Sequence, residues 1–195
     1  MAAGRPREFD TEKALEAALL LFWRQGYEGT SLAALTASMG INMPSLYAAF
    51  GNKEMLFRKV LDRYVQKPAS YLPRALQEPT ARRAAEKLMS GAIDMVMHKG
   101  HPDGCLLVQG ALASGPVAAS VRRELNRRRL GAESAVRRRF ERAVAEADLP
   151  ASVDAAQLAR YLITVIWGLS VQATGGATRA QLKEVAELAM RSWPE

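Results

Sequence analysis

The chain has 195 residues, 49% of them apolar and 24% charged, with 27 Lys+Arg against 20 Asp+Glu for a formal net charge of +7. That suffices for one large core or two small domains and is too apolar for a disordered chain. A single cysteine, Cys105, excludes an intramolecular disulfide framework and a cysteine-rich zinc site, so neither metal nor cofactor is expected. The longest strongly apolar stretch, Tyr161 to Val171, is 11 residues and falls short of a membrane span. Charged residues (Arg5, Arg7, Glu8) precede any apolar run, so a soluble, cytoplasmic protein without a membrane partner is expected. The charge is unevenly placed. Residues 1–66 hold eight basic and seven acidic side chains, and residues 67–195 hold 19 and 13. A nucleic-acid site must therefore be sought by pattern rather than by total charge.

The composition favours helix throughout, and no run alternates with a clean period of two. A first helix is predicted from about Asp10 to Gln25, with Leu15, Ala18, Leu19 and Phe22 on one face and Gly26 ending it. A short second helix follows Thr30 or Ser31, with Leu32, Leu35 and Met39 inward, and breaks at Gly40. Asn42 caps a third, with Pro44 in its first turn and Leu46 and Phe50 inward. After Gly51–Asn52 a fourth runs from Lys53 to about Tyr64. Pro68, Pro73 and Pro79 mark a boundary over residues 67–79. Beyond it a helix spans about Thr80 to His98, and a turn leads to a short helix over Cys105 to Ala113. Gly115–Pro116 opens a long helix to about Asp148. Asp154 with Gln157, and Thr178 with Gln181, resemble capping boxes for the last two helices. The first of these is apolar all round, which demands burial on every side, against its own core and a second subunit.

Residues 29–50 form a short helix, a glycine turn and a second short helix, the helix-turn-helix arrangement whose second helix enters the major groove. No charged residue lies between Glu28 and Lys53. Base reading therefore falls to Asn42, Met43, Ser45 and Ala48, with Asn able to pair bidentately with adenine. Phosphate anchoring is expected from the hydroxyls of Thr30, Ser31 and Tyr47, from Lys53, and from Arg5 and Arg7 as a flexible arm.

The ordered marks Phe22, Gly26, Tyr27, Thr30, Ile41, Ser45-Leu46-Tyr47, Phe50 and Lys53-Glu54-Met55-Leu56 resemble the N-terminal domain of the tetracycline-repressor (TetR) family of bacterial regulators. The later segments "GCLL" and "GLSVQATGGATRAQL" resemble a common branch of it. One departure is Ala49, where the family often has histidine. The resemblance implies an all-α protein of about nine helices. Residues 1–52 would form a three-helix DNA-binding domain, residues 53–66 a linking helix, and residues 67–195 an effector-binding and dimerisation domain. It further implies a homodimeric repressor on a palindromic double-stranded operator, released by an unknown small-molecule effector. Its last two helices would pair, through Leu158, Leu162, Val165, Leu169, Leu182, Val185 and Ala189.

Tyr64, Tyr71, Met89, Ile93, Met97, Cys105, Gln109, Phe140 and Trp167 are the candidate lining of an effector pocket, against ordinary core packing. Cys105, at a helix start near His98 and His101, is either a thiol sensor with a lowered pKa or a small buried hydrophobe. The spacing of His98, His101, Asp103 and Cys105 matches no zinc pattern. The nine arginines from Arg122 to Arg142 read as a solvated helix face rather than a DNA site. No nucleophile–base set or phosphate loop points to an enzyme. Two rival readings are a sequence-independent DNA-binding protein and a helical small-molecule-binding protein with a vestigial DNA-binding motif.

Overall fold

The structure, a computed structural model, describes residues 9–112 and 119–194. Arg5, Arg7 and the Gly115–Pro116 turn lie outside the described residues. The described chain is all-α: α1 Thr11–Gly29, α2 Leu32–Met39, α3 Met43–Phe50, α4 Lys53–Gln66, α5 Tyr71–Ala75, α6 Ala81–Val96, α7 Leu106–Leu112, α8 Ala119–Ala145, α9 Ala155–Thr174 and α10 Arg179–Arg191. The element beyond the expected order is α5, inside the proline-bearing boundary. Pro73 is its third residue, where a helical amide has no intrahelical acceptor to lose.

Side-chain caps fix the starts of most helices. Asp10, Ser31, Asn42, Asn52, Thr80, Asp154 and Thr178 each accept a backbone N–H from the first turn they precede. Removing such a cap typically costs about 1 kcal/mol. The full reciprocal box forms at Thr178 and Gln181. Gly26 leaves helical geometry at φ 69°, so α1 kinks where its first straight run was expected to end. Between α2 and α3, Gly40 adopts the left-handed conformation (φ 66°, ψ 31°), which L-residues other than Gly and Asn adopt at a cost.

Helices α1 to α4 close around Leu19, Phe22, Leu35, Leu46, Leu56 and Phe57, all essentially inaccessible. This core does not stop at residue 66. It continues through Tyr64 into Ile93, Val96, Leu106 and Leu125, because α1 packs on α7. A second core joins α6, α8, α9 and α10 through Leu88, Val136, Phe140, Ile163 and Ile166. The Tyr71 ring presses on Gly91, where an added Cβ would meet ring atoms at 2.8 Å.

The long helix α8 buries two residues that its apolar stripe does not announce. Arg139 is 4% exposed and donates to the carbonyls of Glu78 (3.1 Å) and Pro79 (3.2 Å). Asp148, which accepts the Ala81 N–H at 2.6 Å, lies 3.8 Å from the same guanidinium. Together they tie the start of α6 to the end of α8. Glu124, 7% exposed, is held by Arg127 and Arg128, each at 2.7 Å. Helix α8 ends at Ala145, with Ala147 left-handed at φ 58°. Two side-chain bonds set α8 parallel to α4: Ser120 Oγ donates to Glu54 Oε2, and Arg128 Nη2 to Asp62 Oδ1, both at 2.7 Å. Each pair is separated by the same 66 residues, so eight residues of one helix match eight of the other. No helix of the described residues is long and apolar enough to cross a membrane.

Candidate nucleic-acid interface and internal cavity

Helix α3 is anchored by Leu46 and Phe50, which are 0% and 4% exposed, and presents the rest of its surface outward. Asn42, Tyr47, Ala48 and Ala49 are exposed, and Met43 and Ser45 are half-buried. This face carries no charge. Asn42 Oδ1 accepts the Ser45 N–H at 2.9 Å. The acceptor half of a bidentate adenine contact is therefore already engaged, and the free group is the amide NH2. Ser31 is exposed, and its hydroxyl accepts the Ala34 N–H at 3.0 Å, leaving its own proton to donate. Thr30 departs from expectation. It is 0% exposed, and its hydroxyl donates to Gly26 O at 2.7 Å. That hydroxyl holds the kink in α1 and is not offered to a phosphate.

At the start of α4 the Lys53 ammonium lies 4.4 Å from the centroid of the Tyr27 ring. Tyr27 in turn packs on Phe22 (6.1 Å) and Phe57 (5.1 Å). The cation is thereby aimed by a rigid aromatic cluster. Partial burial lowers the Lys53 pKa and raises that of Tyr27. The adjacent Glu54 is held below the usual carboxylate range by its bonds from Ser120 and Arg58. Arg63 anchors α4 to α1 through Glu12 (2.5 Å) and Glu16 (2.6 Å).

A cavity of about 420 Å³ opens between α4, α5, α8 and α9. Of the expected lining it contains Tyr64, Tyr71, Cys105 and Trp167; Ile163, Ile166 and Ser170 of α9 join them. The remaining expectations are corrected. Met89 and Ile93 lie under a separate groove of about 570 Å³ between α6 and α10. Phe140 is fully buried in the second core against Trp193. Gln109 turns its amide to Asp103 O at 2.9 Å, and Met97 packs on the first core at the end of α6. None of these five placements is legible from spacing, because each depends on how helices are placed against one another.

Cys105 is buried, and the Tyr64 hydroxyl lies 3.1 Å from its Sγ. Burial pushes the thiol pKa up and outweighs the Tyr64 hydrogen bond and the amides of α7, which pull it down. The expected lowering by imidazole does not occur. His98 and His101 stack on one another at 4.2 Å, and His101 also packs on Trp23. Burial likewise pushes the Tyr64 and Tyr71 hydroxyls above the ordinary phenol range, so both stay neutral. The arginines at the rim, Arg127 and Arg128, are already paired with Glu124 and Asp62. Among the described residues no cluster of three or more metal-ligating side chains forms.

Comparison with known proteins decides the family. Residues 14–60 match the model of bacterial regulatory proteins of the tetR family, and residues 81–189 match the tetracyclin repressor-like C-terminal domain. The chain belongs to the TetR family. It is 34% identical over 194 residues to the HTH-type transcriptional repressor ComR of Escherichia coli K12, covering 98% of this chain and 92% of ComR. It is 33% identical to the repressor BdcR of the same organism, covering 95% and 90%. Among solved structures, a cysteine mutant of the TetR-family regulator CifR, complexed with a 26-bp double-strand operator DNA, superposes with a TM-score of 0.92. That chain is 42% identical, with 97% of this chain and 100% of CifR covered. TetR-family proteins are DNA-binding helix-turn-helix transcriptional regulators, not enzymes.

In this TetR-family chain the residues expected at a subunit interface divide in two. Leu162, Leu169, Leu182 and Ala189 are 2%, 1%, 1% and 7% exposed and are consumed by the chain's own cores. Leu158 and Val165 are half-buried, and Val185 is 46% exposed. The outward apolar surface adds Tyr161 on α9 and Leu188 on α10, the latter 63% exposed. Sequence periodicity found the inward stripe of these helices and misassigned it, since both faces are apolar.

Proposed function

We propose that the protein is a homodimeric repressor, working in the cytoplasm, that binds a palindromic operator and leaves it when an effector enters the cavity or when Cys105 is modified. Residues 1–52 act as the DNA-binding domain, residues 53–66 as the linking helix, and residues 67–195 as the effector and dimerisation domain. The observation that carries this reading is the uncharged, outward face of α3 set on buried Leu46 and Phe50. The operator-bound state of CifR, 42% identical, supports its use on DNA. Asn42, Met43 and Ser45 read bases; Ser31, Tyr47 and Lys53 hold phosphates.

The cavity supports an uncharged effector. Its hydroxyls are neutral, and its arginines are paired. Because Tyr64 belongs to α4, a ligand that displaces it acts on the helix carrying Lys53. The effector must bind the released state more tightly than the DNA-bound state, typically by about 1–3 kcal/mol.

The test is selection of binding sites from a random-sequence duplex library, followed by fluorescence anisotropy with the enriched duplex. An inverted repeat is expected. Failure to enrich any sequence at moderate salt would overturn the reading.

A further inference from the structure

We infer that Arg123, on the long helix of the C-terminal half, is a DNA phosphate contact that extends the grip of Lys53. The inference rests on the operator-binding reading above.

Its first support is placement. The Ser120–Glu54 bond seats the first turn of α8 against the first turn of α4, beside Lys53. Arg123 follows Ser120 by three residues and so shares its face of α8. Helical side chains lean toward the N-terminus of their helix. Since α4 and α8 run parallel, that lean carries the Arg123 guanidinium toward the level of Lys53.

The second support is that Arg123 is uncommitted. Glu54 spends Oε1 on Arg58 at 2.9 Å and Oε2 on Ser120. Among the described residues Arg123 has no carboxylate within ion-pair distance, although its neighbours Arg127 and Arg128 are both paired. It is exposed, yet close enough to Glu54 to help lower that carboxylate's pKa.

The third support is demand. Residues 29–52 supply no charge, and the first 66 residues are nearly balanced. DNA affinity needs phosphate neutralisation, so cations from outside the helix-turn-helix fill that deficit. Helix α8 also lines the cavity through Gly131, Ala132 and Ala135. One rigid helix would then touch both effector and operator.

The experiment measures operator affinity by anisotropy from low to moderate salt, using the enriched inverted repeat. Arg123→Ala should lower the slope of log K against log salt by about 1 per subunit. Arg138→Ala, an exposed arginine about 22 Å farther along α8, should leave it unchanged. Repeating Arg123→Ala in a Glu54→Gln background separates phosphate contact from a mere partnership with Glu54: the loss of slope should persist. An unchanged slope, or one that changes only when Glu54 is charged, overturns the inference while leaving the operator intact. If the selection enriches no duplex, both readings fall together.

Discussion

The Tyr64 hydroxyl lies 3.1 Å from Cys105 Sγ and 3.3 Å from Met95 Sδ, so one phenol joins α4 to α6 and to the start of α7. Its ring stands edge-on to Trp23 of α1 at 4.9 Å. The cavity, the thiol and the DNA-facing half therefore meet at a single side chain. In the proposed thiol response, chemical change at Cys105 would remove the hydrogen bond from Tyr64, whose neighbours are Trp23 of α1 and the rest of α4.

The same contact fixes how the thiol should react. Burial raises its pKa, so at neutral pH Cys105 is protonated and slow. Donation from Tyr64 favours the thiolate, so Tyr64→Phe should raise the thiol pKa further. Alkylation by iodoacetamide, followed by mass spectrometry, should accelerate only above the ordinary thiol range. The rate profile of Tyr64→Phe should shift to still higher pH. A midpoint below about 8.5 would contradict the burial argument.

Much of this was legible in the chain, and the misses share a cause. Caps at Asp10, Ser31, Asn42 and Asp154, and the break at Gly40, are local, so residue type alone declares them. Leu35, Leu46 and Phe50 follow from helical period. What escaped depends on tertiary placement. Arg139 and Glu124 are charged residues on a helix rich in charge, and nothing local says which will be buried. Thr30 reads as a surface hydroxyl until the kink at Gly26 turns it inward. On α9 both faces are apolar, so period cannot distinguish core from interface.

Phosphate grip should be separable from base reading. Lys53 is the cation next to α3 and is oriented by Tyr27. Lys53→Ala should weaken binding to every duplex and reduce the salt slope by about 1 per subunit. Tyr47→Phe should weaken binding with the slope unchanged, since a hydroxyl displaces no counterion. Anisotropy titrations at several salt concentrations check both, and an unaltered slope for Lys53→Ala would remove it from the phosphate set.

Acid stability should carry the signature of Glu124. Its carboxyl is lowered from 4.5 to about 2 by hydrogen bonds from Arg127 and Arg128. A group depressed in the folded state stabilises above its unfolded pKa, and that stability is lost as pH falls through the folded value. The window thus lies between about pH 4.5 and 2. Arg127 is solvent-exposed, so screening holds the contribution to on the order of 1–2 kcal/mol. Glu124→Gln should flatten the pH dependence of urea unfolding in that window; an unchanged dependence would show that the cluster contributes nothing.

The outer apolar surface of α9 and α10 gives the sharpest test of dimerisation. Leu188 and Val185 are the most exposed large apolar residues of α10. Tyr161 on α9 is exposed too, lines one groove with Leu158, and accepts from Ser192 Oγ just past α10 at 3.3 Å. If this surface closes on a second copy, Leu188→Glu buries a carboxylate there without a partner, which costs several kcal/mol per interface when desolvated. The variant should sediment as a monomer at micromolar concentration and keep its helical circular dichroism. Its affinity for a full inverted repeat should fall toward that for a single half-site, because two linked recognition helices bind far more tightly than one. Leu182→Ala is the contrasting change. That side chain is 1% exposed within one chain, so its loss should lower thermal stability by about 2–5 kcal/mol through a cavity. It should leave the sedimenting mass of the folded protein unaltered. A Leu188→Glu protein that still sediments as two chains would place the interface elsewhere.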